Sequence, residues 1–543
     1  MLNFKDPGLP HPTPTRSVWL DENPLKTYKA SAKLPEFSDI VIIGSGFSGT
    51  SVAYHLLVEP KTKLKPNALL NKSNIPSVTL LEAREACGGA TGRNGGHIIP
   101  DNHRGFLLDS QVYQGRAMDA AATRVFEQLG MNEVVSLVQN QKINCELRTA
   151  GNVECYSSTE EYKEALHSVT EAAKWGISPL KIFTKSELQK ELGTQEYAGA
   201  IKIPSGQLYP ARLIWHLLNA AIINGLQLYT YTPVTNVRPA TQQEISSLSA
   251  KNYSASLNSE KLWCVESQSG ERIITRDVVH ATNAYAAHLL PQFRSKVFPV
   301  RAQIISTSSE NTPKLWPFGL SLRDGLEYAM RRDYPNGRLI YGGFRTASDS
   351  LEVDNSNDSE INPQLSAALR DSLKSKVFSS MDYNPETYYG VREWTGIMGF
   401  SDDDAPYIGK LYDSDSQLVD GQWTLVGLSA HGMPRCFRCG REIARRVSEK
   451  YMSAEELSLR KVRSSNDANI MRDSKNMLKA AKFNTLAEKQ IHPTTWATNG
   501  ENDIDDWDYP LPRSFITSPQ RFSSTNTQGW DQRTIFPEKK SSL

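Results

Sequence analysis

The chain has 543 residues and a mass of 60.6 kDa, with 61 Lys+Arg against 60 Asp+Glu and a pI near 7.6. That length exceeds what one core supports and implies at least two lobes with appendages, while the balanced charge excludes a general nucleic-acid or anionic-membrane surface. No run approaches the ~18 apolar residues of a membrane span, and six scattered cysteines are too sparse for a disulfide framework, which points to a reducing, intracellular setting.

Residues 1–36 are rich in Pro, Ser and Lys, lack the basic-then-apolar layout of a secretory signal, and read as an extended arm. Asp39–Ile43 (DIVII) has the β-branched, apolar character of a buried parallel strand. It runs straight into Gly44-Ser45-Gly46-Phe47-Ser48-Gly49, and a helical stretch continues through Leu57. Residues 59–76 are polar, hold three prolines and read as a surface insertion, after which Ser77–Glu82 predicts a second strand. Strand, glycine turn, helix and strand make a βαβ unit.

The glycines suit one task. Gly44 permits the tight turn, Gly46 lets the backbone approach a pyrophosphate, and Gly49 allows close helix–strand packing. Phe47 and Ser48 open the helix, whose free N–H groups and positive dipole end face the phosphates. Glu82, ending the second strand, can accept from ribose hydroxyls; the insertion explains its long separation from Gly49. A bare GxGxxG is an ordinary turn, but with strand, helix and terminal acid in place it predicts a dinucleotide site. Glu82-Ala83-Arg84 then leads into Cys87–His97, where five glycines accompany Thr91, Arg93 and Asn94. An ordinary NAD site needs no such segment. It offers backbone donors and a cation to a pyrophosphate or a flavin edge.

Helices are expected at about 113–138 and 158–174, and strands at Arg272–Ala281 and Arg338–Phe344. From Leu425 to Lys450 a strand passes through a small-residue turn into a long amphipathic helix, and the Gly427–Met433 turn would aim a helix dipole at an isoalloxazine ring. Taken alone that segment is a plain strand-to-helix turn. Cys436-Phe437-Arg438-Cys439 could be a redox pair, but two small residues facing a core is the favoured reading. A single Cys-x-x-Cys is weak evidence for zinc, and no metal site is expected. Residues 455–543 turn polar and read as a tail that wraps the surface or stays largely disordered.

Together these segments resemble the D-amino-acid oxidase superfamily of FAD-dependent oxidoreductases, the group containing glycine, sarcosine and γ-glutamylputrescine oxidases. GSGFSG, EAR, GGATGRNGGH, GQLYPAR, VVHATNAYAAHLLP, VFPVRAQ, RLIYGGFR, EWTGIMGFSDDDAPYIG and GLSAHGMP occur in family order across about residues 37–450. The resemblance implies an α/β protein with a Rossmann-like FAD-binding lobe and a second, α+β substrate lobe built on a mixed sheet. The FAD lobe would take 37–105, 200–300 and 395–454, and the substrate lobe 106–199 and 301–394, leaving 1–36 as the arm and 455–543 as the tail.

Carried over by position, the resemblance assigns Gly44, Gly46, Gly49 and Glu82 to the ADP half of FAD, Val234 to the adenine through its backbone and Ala281 and Thr282 to the lining of FAD, with Phe47, Ser48, Ala83 and Arg84 also cofactor-binding. Thr91, Gly92, Arg93, Asn94, Gly95, Gly96, Gly427, His431, Gly432 and Met433 would surround the flavin. It implies hydride transfer from a carbon beside an amine nitrogen to flavin N5, hydrolysis of the imine, and reduction of molecular oxygen to hydrogen peroxide. A flavin dehydrogenase with another acceptor and a mainly regulatory flavoprotein are the alternatives. No catalytic base is assigned.

Amino-acid-specific relatives clamp the substrate carboxylate with an arginine where this chain has Met398, which favours an amine or an acid held elsewhere. Arg301, Arg331, Arg332 and Arg392 are the substitute candidates, and Tyr328 a further lining residue. Sarcosine oxidases tether flavin through a cysteine in the segment occupied here by Glu393–Gly399, and none stands there. His97 is an alternative tether or a loop hydrogen-bond donor. The terminal Ser541-Ser542-Leu543 faintly resembles a peroxisomal address but lacks its central positive charge, so the cytoplasm is the expected location.

Overall fold

Phe37–Ile43, the first strongly apolar run, lies at the centre of the first sheet, with its last four residues all buried. A computed structural model describes residues 4–59, 75–112, 117–194, 196–249, 261–307, 317–322, 325–332, 338–373, 391–452 and 511–523. Most of the expected insertion at 59–76 lies outside the described residues. Phe37–Ile43 pairs in parallel with Val78–Leu81 on one side and with Arg272–His280 on the other. Val78–Leu81 continues to Gln227–Tyr229, and Arg272–His280 to Leu418–Val426, also in parallel. Strands covered on both faces dispense with the polar alternation of a half-exposed strand, as Val41, Ile42, Val279 and Leu80 illustrate. Antiparallel strands Tyr407–Tyr412 and Trp263–Ser267 join the sheet, the latter carrying Val234–Pro239.

The second sheet has eight strands in the order Arg392–Ser401, Val297–Ser306, Leu339–Gly343, Glu327–Arg331, Gly319–Leu322, Asn152–Tyr156, Gly199–Ile203 and Lys181–Thr184. All its pairings are antiparallel except that of Gly319–Leu322 with Asn152–Tyr156. Val297–Ser306 pairs with Arg392–Ser401 along its whole length, Val297 opposite Ser401 and Ser306 opposite Arg392. The lobe boundaries expected at 300/301 and 394/395 therefore fall inside continuous strands. Residues 200–203, 297–300 and 395–401 belong to the second sheet, because an unbroken backbone ladder holds each strand to one sheet.

The Phe47–Leu57 helix packs on the Gly432–Ser448 helix at a crossing of small residues. A Cβ on Gly440 would lie 2.4 Å from Ser51 Oγ, and that hydroxyl donates to Phe437 O at 2.8 Å. Cys436 faces the same crossing, its Sγ 3.3 Å from Ser48 Oγ. Burial pushes the Cys436 thiol up to about 12 and Cys439 well above its ordinary value, so both are protonated, buried side chains. Among the described residues, no helix is long and apolar enough to cross a membrane.

Both ends of the chain join the body more closely than their composition suggests. Phe4 stacks on Phe298 with ring centroids 4.3 Å apart, and Trp19 is fully buried against Tyr209, its Nε1 donating to Asn94 O at 2.7 Å. In the polar tail, residues 511–523 dock on the body of the protein. Ile516 bridges Ile408, Phe515 is fully buried edge-on to Phe126, and Phe522 packs on Phe293. A few aromatics in a polar context give no periodic signal, yet each finds a pocket. Truncating a buried phenylalanine costs about 3–5 kcal/mol. Phe515→Ala is therefore expected to speed tryptic cleavage after Arg521 by about 100-fold, because cleavage tracks the undocked population. A rate within twofold of the parent would contradict that docking.

Candidate active site

Where the parallel strands of the first sheet end, a cavity of about 470 Å³ opens against the second sheet. The carboxyl ends of parallel strands are the ordinary place for such a cleft, and Ile43, Leu81 and Ala281 border it here. Gly44 turns the chain at φ +107°, and a Cβ there would sit 2.7 Å from Ala281 O. Gly49 presses the helix onto this turn, since a Cβ would come within 2.0 Å of Gly44 O. Gly46, at the N-cap, has no side chain to occupy the helix end, and Phe47 N donates to Thr91 Oγ1 at 3.0 Å. Glu82 accepts from Ser45 N at 2.9 Å, from Ser45 Oγ at 2.6 Å and from Arg84 N at 2.9 Å, which fixes its carboxylate at the cavity wall.

These residues fit an FAD-type ligand. Thr282 borders the cavity with a buried Oγ1 that has no hydrogen-bond partner among the described residues, and a Cβ on Gly89, also on the wall, would meet no atom within 4 Å. Ala83, Val234, Asn94, Gly95, His431, Gly432 and Met433 border the cavity, beside Gly44, Gly46, Phe47, Ser48, Thr91 and Ala281. Arg84 and Arg93 border it too, but both lean on one buried acid: Arg84 Nη1 lies 2.7 Å and Arg93 Nε 3.7 Å from Asp358 Oδ2. Two guanidiniums thus share one carboxylate, with the Glu82 carboxylate beside Arg84 on the same wall.

Gly49, Gly92, Gly96 and Gly427 stand behind the cavity lining. Gly92 and Gly96 shape the loop against Leu20, Leu208 and Met330. Gly427, at φ +70°, donates its N–H to Asn283 Oδ1 at 3.1 Å.

Of the substrate candidates, Tyr328 and Met398 border the cavity and the arginines do not. Arg301 is ion-paired with Glu352, Arg332 with Glu146 at 3.0 Å while lying over Trp19 and Tyr209, and Arg392 with Asp21. Arg331 is likewise absent from the lining. Strand alternation explains Arg301: Ala302 and Ile304 face the cavity, so residue 301 points to the opposite face. Besides Arg84 and Arg93, the arginines on the lining are Arg104 and Arg345, neither of which was among the expected site residues. Arg345 stood in the quoted RLIYGGFR segment, and only the chain turn after Gly343 aims it inward. Burial lowers Arg345 to about 10, which still leaves it charged at neutral pH. His97 also borders the cavity, its Nε2 3.2 Å from Ala329 O, and burial pulls it down to about 4, so it is neutral. Tyr328 lies edge-on to it at 5.7 Å, and burial raises the phenol far above its ordinary value.

At the start of the Gly432–Ser448 helix, His431 sits between two carboxylates, with Nε2 3.7 Å from Asp101 and Nδ1 3.6 Å from Glu127. Burial pulls this imidazole down, but Asp101 and Glu127 together raise it above its ordinary value. Arg435 Nε holds the other Glu127 oxygen at 2.6 Å, and Asp101 N donates to Glu127 Oε2 at 2.6 Å. Asp101, Glu127 and His431 are close enough for a cation, yet Arg435 already neutralises the buried acid. With His431 protonated, the two positive and two negative charges cancel.

Burial would raise Glu127, but Arg435 and then His431 bring it down to about 2 from 4.5. A depressed carboxylate stabilises the fold fully above its unfolded value and loses that contribution as pH falls through the folded one. Acid denaturation of the parent should therefore carry a stability loss between about pH 4.5 and 2 that Glu127→Gln lacks, measured by denaturant unfolding at stepped pH. Identical slopes for both proteins would rule this out.

A family model described as FAD dependent oxidoreductase matches residues 39–446. The probable oxidoreductase OrdL of Rhizobium meliloti (strain 1021) is 23% identical over 410 residues, covering 74% of this chain and 81% of that protein. The gamma-glutamylputrescine oxidoreductase of Escherichia coli (strain K12) is 23% identical over 319 residues, covering 56% of this chain and 64% of its own length. In fold, the chain is similar to glycine oxidase from Geobacillus kaustophilus, with a TM-score of 0.55 at 18% identity, covering 77% of this chain and 96% of that one.

Proposed function

The chain belongs to the FAD-dependent oxidoreductase family, and from that premise we propose that it oxidises the C–N bond of a small amine or amino acid that carries an acidic group. The supporting observation is one continuous cavity, bordered by Gly44 and Glu82 and also by Tyr328, Arg345 and Met398. Two of the similar proteins are named for a glutamylated amine and for glycine.

FAD, when bound, supplies the acceptor for a hydride from the carbon beside nitrogen and passes the electron pair to oxygen, yielding hydrogen peroxide. The remaining work falls to the chain's own side chains. Gly44, Glu82, Val234 and Thr282 would hold the nucleotide half, and the 91–95 and 431–433 loops the ring. Arg345 would hold the substrate's acid in place of the arginine missing at Met398, with Arg104 as a second cation on the wall. His97 and Tyr328 are uncharged and Arg345 disfavours an ammonium beside it, while Asp101, Asp109 and Asp404 elsewhere on the wall supply negative charge to the cavity. The imine product is then hydrolysed by water. A reducing compartment such as the cytoplasm suits six cysteines that are all free and buried.

Anaerobic mixing with a panel of amines and amino acids tests this reading. Acid-bearing amines should bleach the visible flavin band, and air should restore it with one peroxide per turnover. Restoration only by an artificial dye would mark a dehydrogenase. A flavin band untouched by every member of the panel would leave the regulatory alternative.

A further inference from the structure

We propose that residues 4–19, which precede the family-matched region, form a strap that closes the dinucleotide part of the cavity and governs how fast FAD leaves. The inference rests on the family's cofactor and is independent of the substrate reading. Gly8, Leu9 and Pro10 are themselves part of the cavity wall. The residues on either side of them are tied to the body. Phe4 stacks on Phe298 at one end, and Trp19 is buried beneath the 91–95 loop at the other, bonded to Asn94 O.

Between those anchors the bonds converge on the nucleotide side of the wall. Asp6 Oδ1 lies 3.1 Å from His288 Nδ1, and Ser356 Oγ donates to Pro7 O at 2.8 Å. Arg84 Nη1 reaches His11 O at 3.4 Å, and Arg93 Nη1 reaches Thr15 Oγ1 at 3.4 Å. Thr15 N donates to Asp358 O at 2.7 Å, and the Asp358 carboxylate is the one shared by Arg84 and Arg93. Strap and cationic wall thus meet at one residue, so lifting the strap releases a bond to the loop that orients both arginines.

The strap suits a part that opens without unfolding the lobe. Pro7, Pro10, Pro12 and Pro14 hold it extended and supply no amide donors, and it pairs with no strand of either sheet. Between the Phe4 and Trp19 anchors its bonds to the body are single side-chain and carbonyl contacts rather than a ladder, so that stretch can open while the buried Trp19 stays in place.

The test measures exchange of bound FAD against isotopically labelled FAD in solution, followed by mass spectrometry, in the holoprotein. A form lacking residues 2–10 loses Phe4 and the wall residues but keeps Thr15 and Trp19. Its exchange should accelerate at least tenfold, while Phe4→Ala in the full-length chain should give a smaller rise in the same direction. Exchange within twofold of the parent in both variants would overturn the proposal. Should the truncated form fail to fold, Phe4→Ala decides alone, and unchanged exchange sinks it. A raised KM with unchanged exchange would mean that the strap guards the substrate route instead, and would also overturn it. A parent protein that takes up no FAD would instead refute the cofactor assignment, a result distinguishable from the others by the missing visible spectrum.

Discussion

Gly44→Ala is expected to give a folded protein that has lost FAD. The residue sits at φ +107°, and the added Cβ would lie 2.7 Å from Ala281 O, a backbone atom just past the neighbouring strand that is tied to the sheet through Ala281 N–Ile43 O and cannot yield as a flexible side chain would. Unfavourable backbone regions cost about 1–3 kcal/mol for a residue with a side chain, and the contact with the carbonyl adds to that. The turn would shift to relieve both, carrying Ser45 away from Glu82, which it holds through two hydrogen bonds of 2.9 and 2.6 Å. Since about 1.4 kcal/mol corresponds to tenfold in affinity, the FAD dissociation constant should rise at least 100-fold, read by fluorescence titration of the apoprotein. Gly270→Ala is the control. It has φ +86° and no atom within 4 Å of the added Cβ, in a turn that does not border the cavity. It should lower stability slightly and leave FAD binding intact. Equal FAD affinity in the Gly44 variant and the parent would remove the nucleotide site from this turn.

Arg345→Met should lower kcat/KM for an acid-bearing amine by about 100- to 1000-fold, mostly through KM. Loss of one partner of a buried, charge-assisted pair costs about 2–5 kcal/mol, and Arg345 is both charged and inside the cavity wall. Arg345→Lys should recover only part of the loss, because an ammonium is a point charge and cannot present the guanidinium fork to a carboxylate. An amine without an acid should be oxidised by parent and variant at similar efficiency. Arg301→Met supplies the contrast: that arginine is bound to Glu352 away from the cavity, so its loss should reduce stability and leave KM within about threefold. An unchanged KM in Arg345→Met for every acid-bearing substrate would transfer the anchoring role to Arg104 or eliminate it.

The glycine turn at the cavity was legible from residue order because its requirements are local. A positive-φ glycine, a buried parallel strand and an acid at the end of the next strand are each imposed within a few bonds, and Gly44, Ile40–Ile43 and Glu82 occupy those positions in space. The helix expected from about 158 does begin there, with Ser158 forming a capping box with Glu161. The lobe boundaries were less legible, since a strand such as Arg392–Ser401 chooses its sheet by pairing with a partner about a hundred residues away.

Composition and local pattern thus determined that this is a two-lobed protein with a dinucleotide turn. Tertiary structure alone decided which of the arginines beyond Arg84 and Arg93 face the cavity, and it did so by a difference of one residue in strand phase and by the distribution of carboxylates. Arg301 and Ala302 are adjacent in the chain and point to opposite faces, so one meets Glu352 and the other the cavity. Tertiary structure likewise turned a proline-rich arm into part of the wall and gave Phe515 a buried pocket. Burial of an isolated aromatic depends on surfaces supplied by distant segments, and no periodicity within its own segment records them.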